Sequence, residues 1–185
     1  EMRDILSEFD IDVITRDDFG INVEVEETGT TLLENATIKA KVICKLSNMP
    51  SIADDSGLMV DALGGEPGVY SSSYGGEGLN TIEHCAYLLS VMKEVKERTA
   101  AFVCTIVCAF PDGNLLTATG ECRGEIATIP RGIGGFGYDS VFIPNGINKT
   151  MAQLSSDEKN AISHRRIALD NFCKILKSYN AGYRL

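Results

Sequence analysis

An α/β fold is the expectation for this chain, and two kinds of hydrophobic pattern predict it. Ala101 to Phe110 (AFVCTIVCAF) is a nearly continuous apolar run rich in β-branched residues, the mark of a strand buried on both faces. Asp112-Gly113-Asn114 then signals a hairpin returning through Leu115 to Cys122, and Gly124 to Ile129 reads as a third strand of the same meander. Around this antiparallel or mixed sheet stand three long stretches with apolar residues at helical spacing.

The first residues, Glu1 to Phe9, carry Met2, Ile5, Leu6 and Phe9 on one helical stripe, and Ile11 to Ile14 reads as a short strand. Residues 22–29 (NVEVEETG) are acidic and end in a Gly turn, with Glu24 a candidate for a solvated strand edge. A strong helix start follows. Thr31 and Glu34 have capping-box spacing, and Leu33, Ala36, Ala40 and Ile43 supply a buried face up to about Ser47, before Pro50. Lys39 and Lys41 sit in the middle of that helix, where a lysine is ordinarily solvated.

Ile52-Ala53-Asp54-Asp55-Ser56-Gly57 is the stretch that carries chemistry. A small apolar pair closes a short buried strand, and the chain then breaks into two adjacent carboxylates. Gly57 supplies backbone freedom after them and Ser56 a hydroxyl. Neighbouring acids repel unless a cation sits between them, and a hard divalent metal such as Mg2+ takes oxygen ligands for that purpose. A surface Asp-Asp turn is the alternative.

Leu58 to Leu63 is apolar enough for burial, and Gly64-Gly65-Glu66-Pro67-Gly68 is a turn-dense loop continued by the polar residues 71–78. Asn80 to Lys96 predicts a second amphipathic helix with Ile82, Cys85, Ala86, Leu89 and Met92 on its buried side and His84 exposed. Residues 132–139 (GIGGFGYD) form a glycine-rich loop that lacks the Lys-Ser/Thr of a Walker A motif. It is either a tight connection into a strand from Ser140 to Ile143, or a wall for a flat ligand with Phe136 or Tyr138 stacking on it. Ser155 and Glu158 open the last helix with capping-box spacing, and Ile162, Leu169, Phe172, Cys173 and Leu176 mark its buried face. Ser163-His164-Arg165-Arg166 interrupts it. If Ser163 caps a second helix there, cations lie in a first turn, against the helix dipole, and need an anionic or carbonyl partner. A basic patch on one continuous helix is the alternative.

The bulk numbers narrow the function classes. At 185 residues the chain is long enough for a real core and is expected to be a single domain, 1–185. A formal net charge of -9 argues against a non-specific nucleic-acid binder, which needs Lys and Arg to neutralise phosphates. The six cysteines fall inside expected helices and strands, none in a C-x-x-C pair, and with only two histidines a structural zinc site is not expected. They read as reduced, buried thiols of a cytoplasmic protein. No apolar run reaches membrane-spanning length and no signal peptide is expected at the start.

Taken together, EETG (26–29), LLENATIKA (32–40), IADDSGL (52–58), LGGEPGVYS (63–71), GGFGYD (134–139) and EKNAISHR (158–165) form an ordered series. The series closely resembles the inosine triphosphate pyrophosphatase family, the house-cleaning enzymes for non-canonical purine nucleoside triphosphates, from residue 1 to about 178. The resemblance implies an elongated mixed sheet flanked by helices, two lobes with an active-site cleft, and a homodimer. It implies Mg2+-dependent hydrolysis of ITP, dITP and XTP to the monophosphate and pyrophosphate, with Mn2+ as a substitute metal. By resemblance Asp55 is the general base. Glu26 and Asp55 are metal ligands, with Glu27 and Asp54 in close support, and Lys39 and Ser56 contact the phosphates. Phe136 stacks on the purine and Gly137, Tyr138 and Asp139 shape its pocket. Lys159, His164 and Arg165 approach the base from the other side, Arg165 meeting the 6-oxo group. The family opens with a strand and a Lys-containing phosphate loop, and this sequence starts past that point, so a shortened chain is expected.

Two rival readings remain at this stage. One is a Maf-like pyrophosphatase for modified pyrimidines, against which the His164-Arg165 pair and the FGYD loop speak. The other is a non-catalytic nucleotide-binding or dimerisation protein, against which the retained Glu26, Glu27, Asp54 and Asp55 speak, since acids without a metal only repel.

Overall fold

The computed structural model describes Met2, Leu6 and residues 12–182, with side chains up to residue 179. The expected α/β class is borne out. Helices α1 (Leu32–Ser47), α2 (Thr81–Val91), α3 (Ser156–Ile162) and α4 (His164–Gly182) accompany strands β1 (Ser51–Val60), β2 (Thr99–Ala109), β3 (Leu115–Ile126) and β4 (Phe142–Pro144). The strands form one sheet in the order β1-β2-β3-β4. Among the described residues no helix is long and apolar enough to cross a membrane.

Contacts divide the chain into two compact units, the first holding residues 1–55, 104–120 and 165–185, the second 56–103 and 121–164. In the first unit the sheet is covered on both faces. Ala36, Ala40 and Cys44 of α1 pack on Val107 and Ala109 of β2, with Ala53 beside them. Ala168, Leu169, Phe172 and Cys173 of α4 pack on Cys104, Ile106 and Cys108 of the same strand, with Ile52 beside them. The alternation of 104, 106 and 108 against 107 and 109 is the period of two that sends successive side chains to opposite faces. It explains why β2 reads as continuously apolar. The core of the second unit joins Leu58 and Val60 of β1 to Cys85 and Leu88 of α2, to Met92 just after it, and to Phe102, Ile126, Tyr138 and Phe142.

Both foreseen capping boxes form, Thr31 with Glu34 at α1 and Ser155 with Glu158 at α3. All six cysteines are buried thiols, and among the described residues none forms a disulfide. Burial pushes Cys108 up to about 12 and Cys122 up to about 11, so these thiols stay protonated and serve as core side chains.

Several expectations need correction. The predicted N-terminal helix and Ile11 lie mostly outside the described residues, although Met2 and Leu6 are helical. Asp12 to Ile14 form no strand. Leu33 is exposed and Leu32 takes its buried place, because the inward stripe of α1 runs 32-36-40-44, which keeps Ala36 and Ala40 as expected and differs at its ends. Helix α2 stops at Val91, well before Lys96. Arg98 holds the turn that follows it, Nη1 donating to Met92 O at 3.0 Å and Val95 O at 3.3 Å. His84 is buried and Ile82 is exposed, the reverse of the expected stripe. His84 Nδ1 lies 2.7 Å from Tyr74 O, which satisfies its ring in the core. Residues 115–126 are one strand, not two. Gly124 makes no turn; it is extended so that β4 can pair at Gly124↔Pro144 and Ile126↔Phe142, antiparallel.

The largest correction concerns the acidic stretch. Strand β1 does not end at Ala53 but runs through Asp54, Asp55, Ser56 and Gly57 to Val60. Gly57 is there for closeness rather than for freedom. A Cβ at Gly57 would overlap the carbonyl oxygen of Gly68, a backbone atom that no rotamer change can move aside. Leu58 N donates to Ser71 Oγ at 2.9 Å, and Ser71 Oγ donates to Gly68 O at 2.6 Å, which holds the approach. Replacing Gly57 with alanine is expected to cost about 1–3 kcal/mol, the usual penalty for overpacking. Urea denaturation of the two proteins would measure it; equal midpoints would mean that the 68–71 segment yields freely.

Candidate functional site

The first unit gathers a carboxylate and lysine group around Asp55. Because β1 continues through the acids, Asp54 and Asp55 leave it through opposite faces. Asp55 goes to the α1 side, where Lys39 Nζ donates to its Oδ1 at 2.8 Å and to Glu27 Oε1 at 3.1 Å. Asn35, one helical turn before Lys39 and itself buried, extends Nδ2 towards Asp55 Oδ2 at 3.5 Å. Asn35 Oδ1 accepts from Gly29 N at 2.8 Å, tying the acidic segment to the helix. Lys39 is therefore not the solvated lysine of the bland reading; 22% of its side chain is exposed.

Burial pushes the Asp55 carboxyl above its ordinary value, and the Glu27 charge adds to that; Lys39 and Asn35 pull the other way without prevailing. For Lys39, burial pulls downward, but the hydrogen bonds and charges of Asp55 and Glu27 more than offset it and the net direction is upward. The lysine is cationic, and the carboxylate beside it is desolvated and proton-hungry. That is the condition of a base.

Asp54 goes to the α4 side. Its Oδ2 accepts from Arg165 Nε at 3.0 Å and lies 3.8 Å from Cys104 Sγ. The two-helix reading of the C-terminal basic run is borne out: Ser163 is extended, ends α3, and α4 begins at His164. Asp54 is thus the anionic partner that a cation in a first turn requires. Each acid has its own cationic side-chain partner, Arg165 for Asp54 and Lys39 for Asp55.

Glu26 is exposed before α1 and enters no hydrogen bond or ion pair among the described residues. Likewise no three His, Cys, Asp or Glu side chains among the described residues converge to hold a metal. Glu27 and Asp55 do converge, on Lys39.

The second unit gathers an aromatic group on the glycine-rich loop. Phe136 is 63% exposed, with Lys159 Nζ 4.5 Å from its ring centre. Asp139, nearly buried, accepts from Phe136 N at 2.8 Å and from Lys159 Nζ at 2.5 Å, which fixes both the loop and the lysine. Gly135, at φ +76, is where a Cβ would overlap Asp139 Oδ2, so only glycine allows that ion pair. Gly137 also has positive φ, and its carbonyl accepts from Cys85 Sγ at 3.4 Å. Tyr138 is not on the ligand wall: it is buried, its hydroxyl donates to Ser71 O at 2.9 Å, and burial pushes its phenol upward. Phe136 presents the exposed aromatic ring of this loop, with Lys159 over it. His164 stacks on Phe102, ring centres 5.1 Å apart and planes 15° from parallel. Ser56 Oγ is buried and has no hydrogen-bond partner among the described residues.

Sequence reading missed Asn35 and Cys104 as partners of the two acids. For Asn35 a signal existed: a polar residue on the Ala36–Ala40 face, four residues before Lys39. Nothing in the sequence ties Cys104 to Asp54.

Comparison with known proteins gives a consistent answer. Residues 1–175 match the Ham1 family. A dITP/XTP pyrophosphatase of Bacillus subtilis (strain 168) is 45% identical over 180 residues, 96% of this chain and 91% of that protein. One of Geobacter sulfurreducens is 47% identical over 171 residues, 91% of this chain and 86% of the other. The structure of the Staphylococcus aureus Ham1 protein superposes with a TM-score of 0.88 at 40% identity, covering 96% of this chain and 93% of that one. The resemblance to the inosine triphosphate pyrophosphatases is borne out, and this chain belongs to the Ham1 family.

Proposed function

We propose that this protein is a nucleoside triphosphate pyrophosphatase that hydrolyses non-canonical purine triphosphates, dITP, ITP and XTP, to the monophosphate and pyrophosphate. The observation that carries the reading is the Asp55–Lys39–Glu27 group: a desolvated carboxylate held by a cation that a second carboxylate shares. Its relatives are named for this activity on dITP and XTP.

Asp55 is the general base, taking a proton from the water that attacks the α-phosphorus. Lys39 keeps it ionised in its desolvated position and offers its ammonium to the phosphates. Ser56 supplies a hydroxyl whose buried oxygen has no partner among the described residues, the kind of group that a ligand or water satisfies. Phe136 stacks on the base with its exposed ring, worth about 1–3 kcal/mol. Asp139 and Lys159 hold that ring's loop, Gly137 and Tyr138 form its support, and His164 approaches the base from the other side. Arg165 donates to a 6-oxo oxygen. A 6-amino purine leaves that donor unpaired, which is how ATP would be rejected.

The converging oxygens of Glu27 and Asp55 are hard donors suited to Mg2+, or Mn2+ in its place, with water completing the coordination and Glu26 free to join. The metal, when bound, neutralises phosphate charge. The same reading makes the enzyme cytoplasmic and homodimeric, with the nucleotide as its substrate and neither nucleic acid nor membrane as a partner.

Pyrophosphate release from XTP, dITP, ITP, GTP, ATP and dUTP tests the proposal. XTP, dITP and ITP are expected to be turned over, ATP and dUTP not, and a chelator should abolish release. A folded protein that releases pyrophosphate from none of them would overturn it; preference for dUTP would point instead to the pyrimidine group.

A further inference from the structure

We infer that Asp54 belongs to Arg165 and not to the metal: it is a positioning residue that aims the guanidinium from the first turn of α4. The inference rests on the proposed function only for what Arg165 is aimed at. The placement itself follows from β1. Ile52 packs in the α4 core and Ala53 in the α1 core, so the period of two carries Asp54 to the α4 side and Asp55 to the α1 side. Their partners obey the same division, Arg165 and Cys104 for Asp54, Lys39 and Asn35 for Asp55.

A Mg2+ ion holds its ligands at roughly 2.0–2.1 Å in an octahedron. Two carboxylates that leave a strand through opposite faces cannot both reach such an ion. Glu27 is on Asp55's side, since Lys39 bridges the two, so the metal goes with Asp55. Asp54 is committed elsewhere. Its Oδ2 receives the Nε–H of Arg165, and the fully buried Cys104 thiol points at the same oxygen. With 21% of the Asp54 side chain and 27% of Arg165 exposed, the pair is shielded enough for its geometry to persist. A bond to Nε grips the guanidinium at its stem, so the carboxylate sets the direction in which the group leaves α4.

The test uses Asp54→Ala and Asp54→Asn beside Asp55→Asn. Mn2+ binding to the protein alone is followed by electron paramagnetic resonance. Exchange of the Arg165 Nε–H is followed by 15N NMR, assigned by its absence in Arg165→Lys. Asp54→Ala is expected to keep Mn2+ affinity within about twofold, to lose protection of the Arg165 Nε–H, and to raise KM for dITP about tenfold with kcat little changed. Asp54→Asn, which still offers an oxygen to Nε, should recover part of the KM and also covers the case that the alanine variant does not fold. A fall of tenfold or more in Mn2+ affinity in either variant would overturn the inference, as would a protected Nε–H in folded Asp54→Ala. If the wild-type protein hydrolyses no 6-oxo purine triphosphate, the proposed function fails, while the metal and exchange measurements still decide the role of Asp54.

Discussion

Replacing Asp55 with asparagine is expected to lower pyrophosphate release from dITP and XTP by about 10²–10⁴-fold, the usual contribution of a positioned general base. The amide keeps the shape and still accepts from Lys39, so loss of activity cannot be blamed on an empty space. It has no proton affinity to offer the attacking water. The pH profile of the wild-type enzyme should carry the signature of the same group. Burial holds the Asp55 carboxyl above the ordinary 3.8, so it stays protonated, and inactive, up to a higher pH than a surface aspartate. The acidic limb of kcat/KM should therefore lie above that value.

The effect on stability has the opposite sign from that of most paired aspartates. A carboxyl whose value is raised on folding favours the folded state most at low pH, and that contribution is lost as pH rises through its folded value. Lys39, raised by its two carboxylates, contributes below 10.5, and its share is lost only as pH rises through its folded value. Asp55→Asn removes the first dependence and leaves Lys39 paired with Glu27, so the variant should melt as the wild-type protein does at neutral pH. Calorimetry beside the activity assay checks both halves. Undiminished turnover would move the base elsewhere, and early melting would make the loss structural.

The elements that could be read in the sequence are those whose cause is local. Thr31 with Glu34 and Ser155 with Glu158 are satisfied within one helical turn, and the break at Ser163 is announced by cations that a first turn would not otherwise accept. The apolar run of β2 needs no partner to be recognised. What stayed hidden depends on residues distant in sequence. Asp54, Asp55 and Gly57 have poor strand propensity, so the stretch reads as a loop. It is a strand because Arg165, Lys39 and the Gly68 backbone, from three other segments, meet each residue in turn. His84 is hidden in the same way, since only the Tyr74 carbonyl makes its burial tolerable. The motif residues of the candidate site were all legible through the family resemblance. Which acid faces which cation was not, because that depends on the register of β1.

Replacing Phe172 with alanine is expected to be the most destabilising of the substitutions considered, at about 3–5 kcal/mol. Phe172 is fully buried in the α4 face of the first unit, among Cys104, Ile106, Cys108, Leu169 and Cys173. Its neighbours are held by the strand on one side and the helix on the other, so they cannot collapse into the space a benzyl group leaves. For a chain of this size each kcal/mol shifts the melting temperature by roughly 2–4 °C, which puts the expected drop at about 6–20 °C. Ile133→Ala is the control. Ile133 is equally apolar but fully exposed, and its truncation should stay within about 0.5 kcal/mol. The pair separates burial from hydrophobicity as the source of stability. Because Phe172 lies two turns along α4 from Arg165, Phe172→Ala also tests the helix as a platform. Below its melting temperature the variant should keep kcat, since Asp55 and Lys39 are on the other face of the sheet, while KM for 6-oxo purines rises as the first turn loosens. A fall in kcat with KM unchanged would mean instead that the α4 face supports the reacting groups directly.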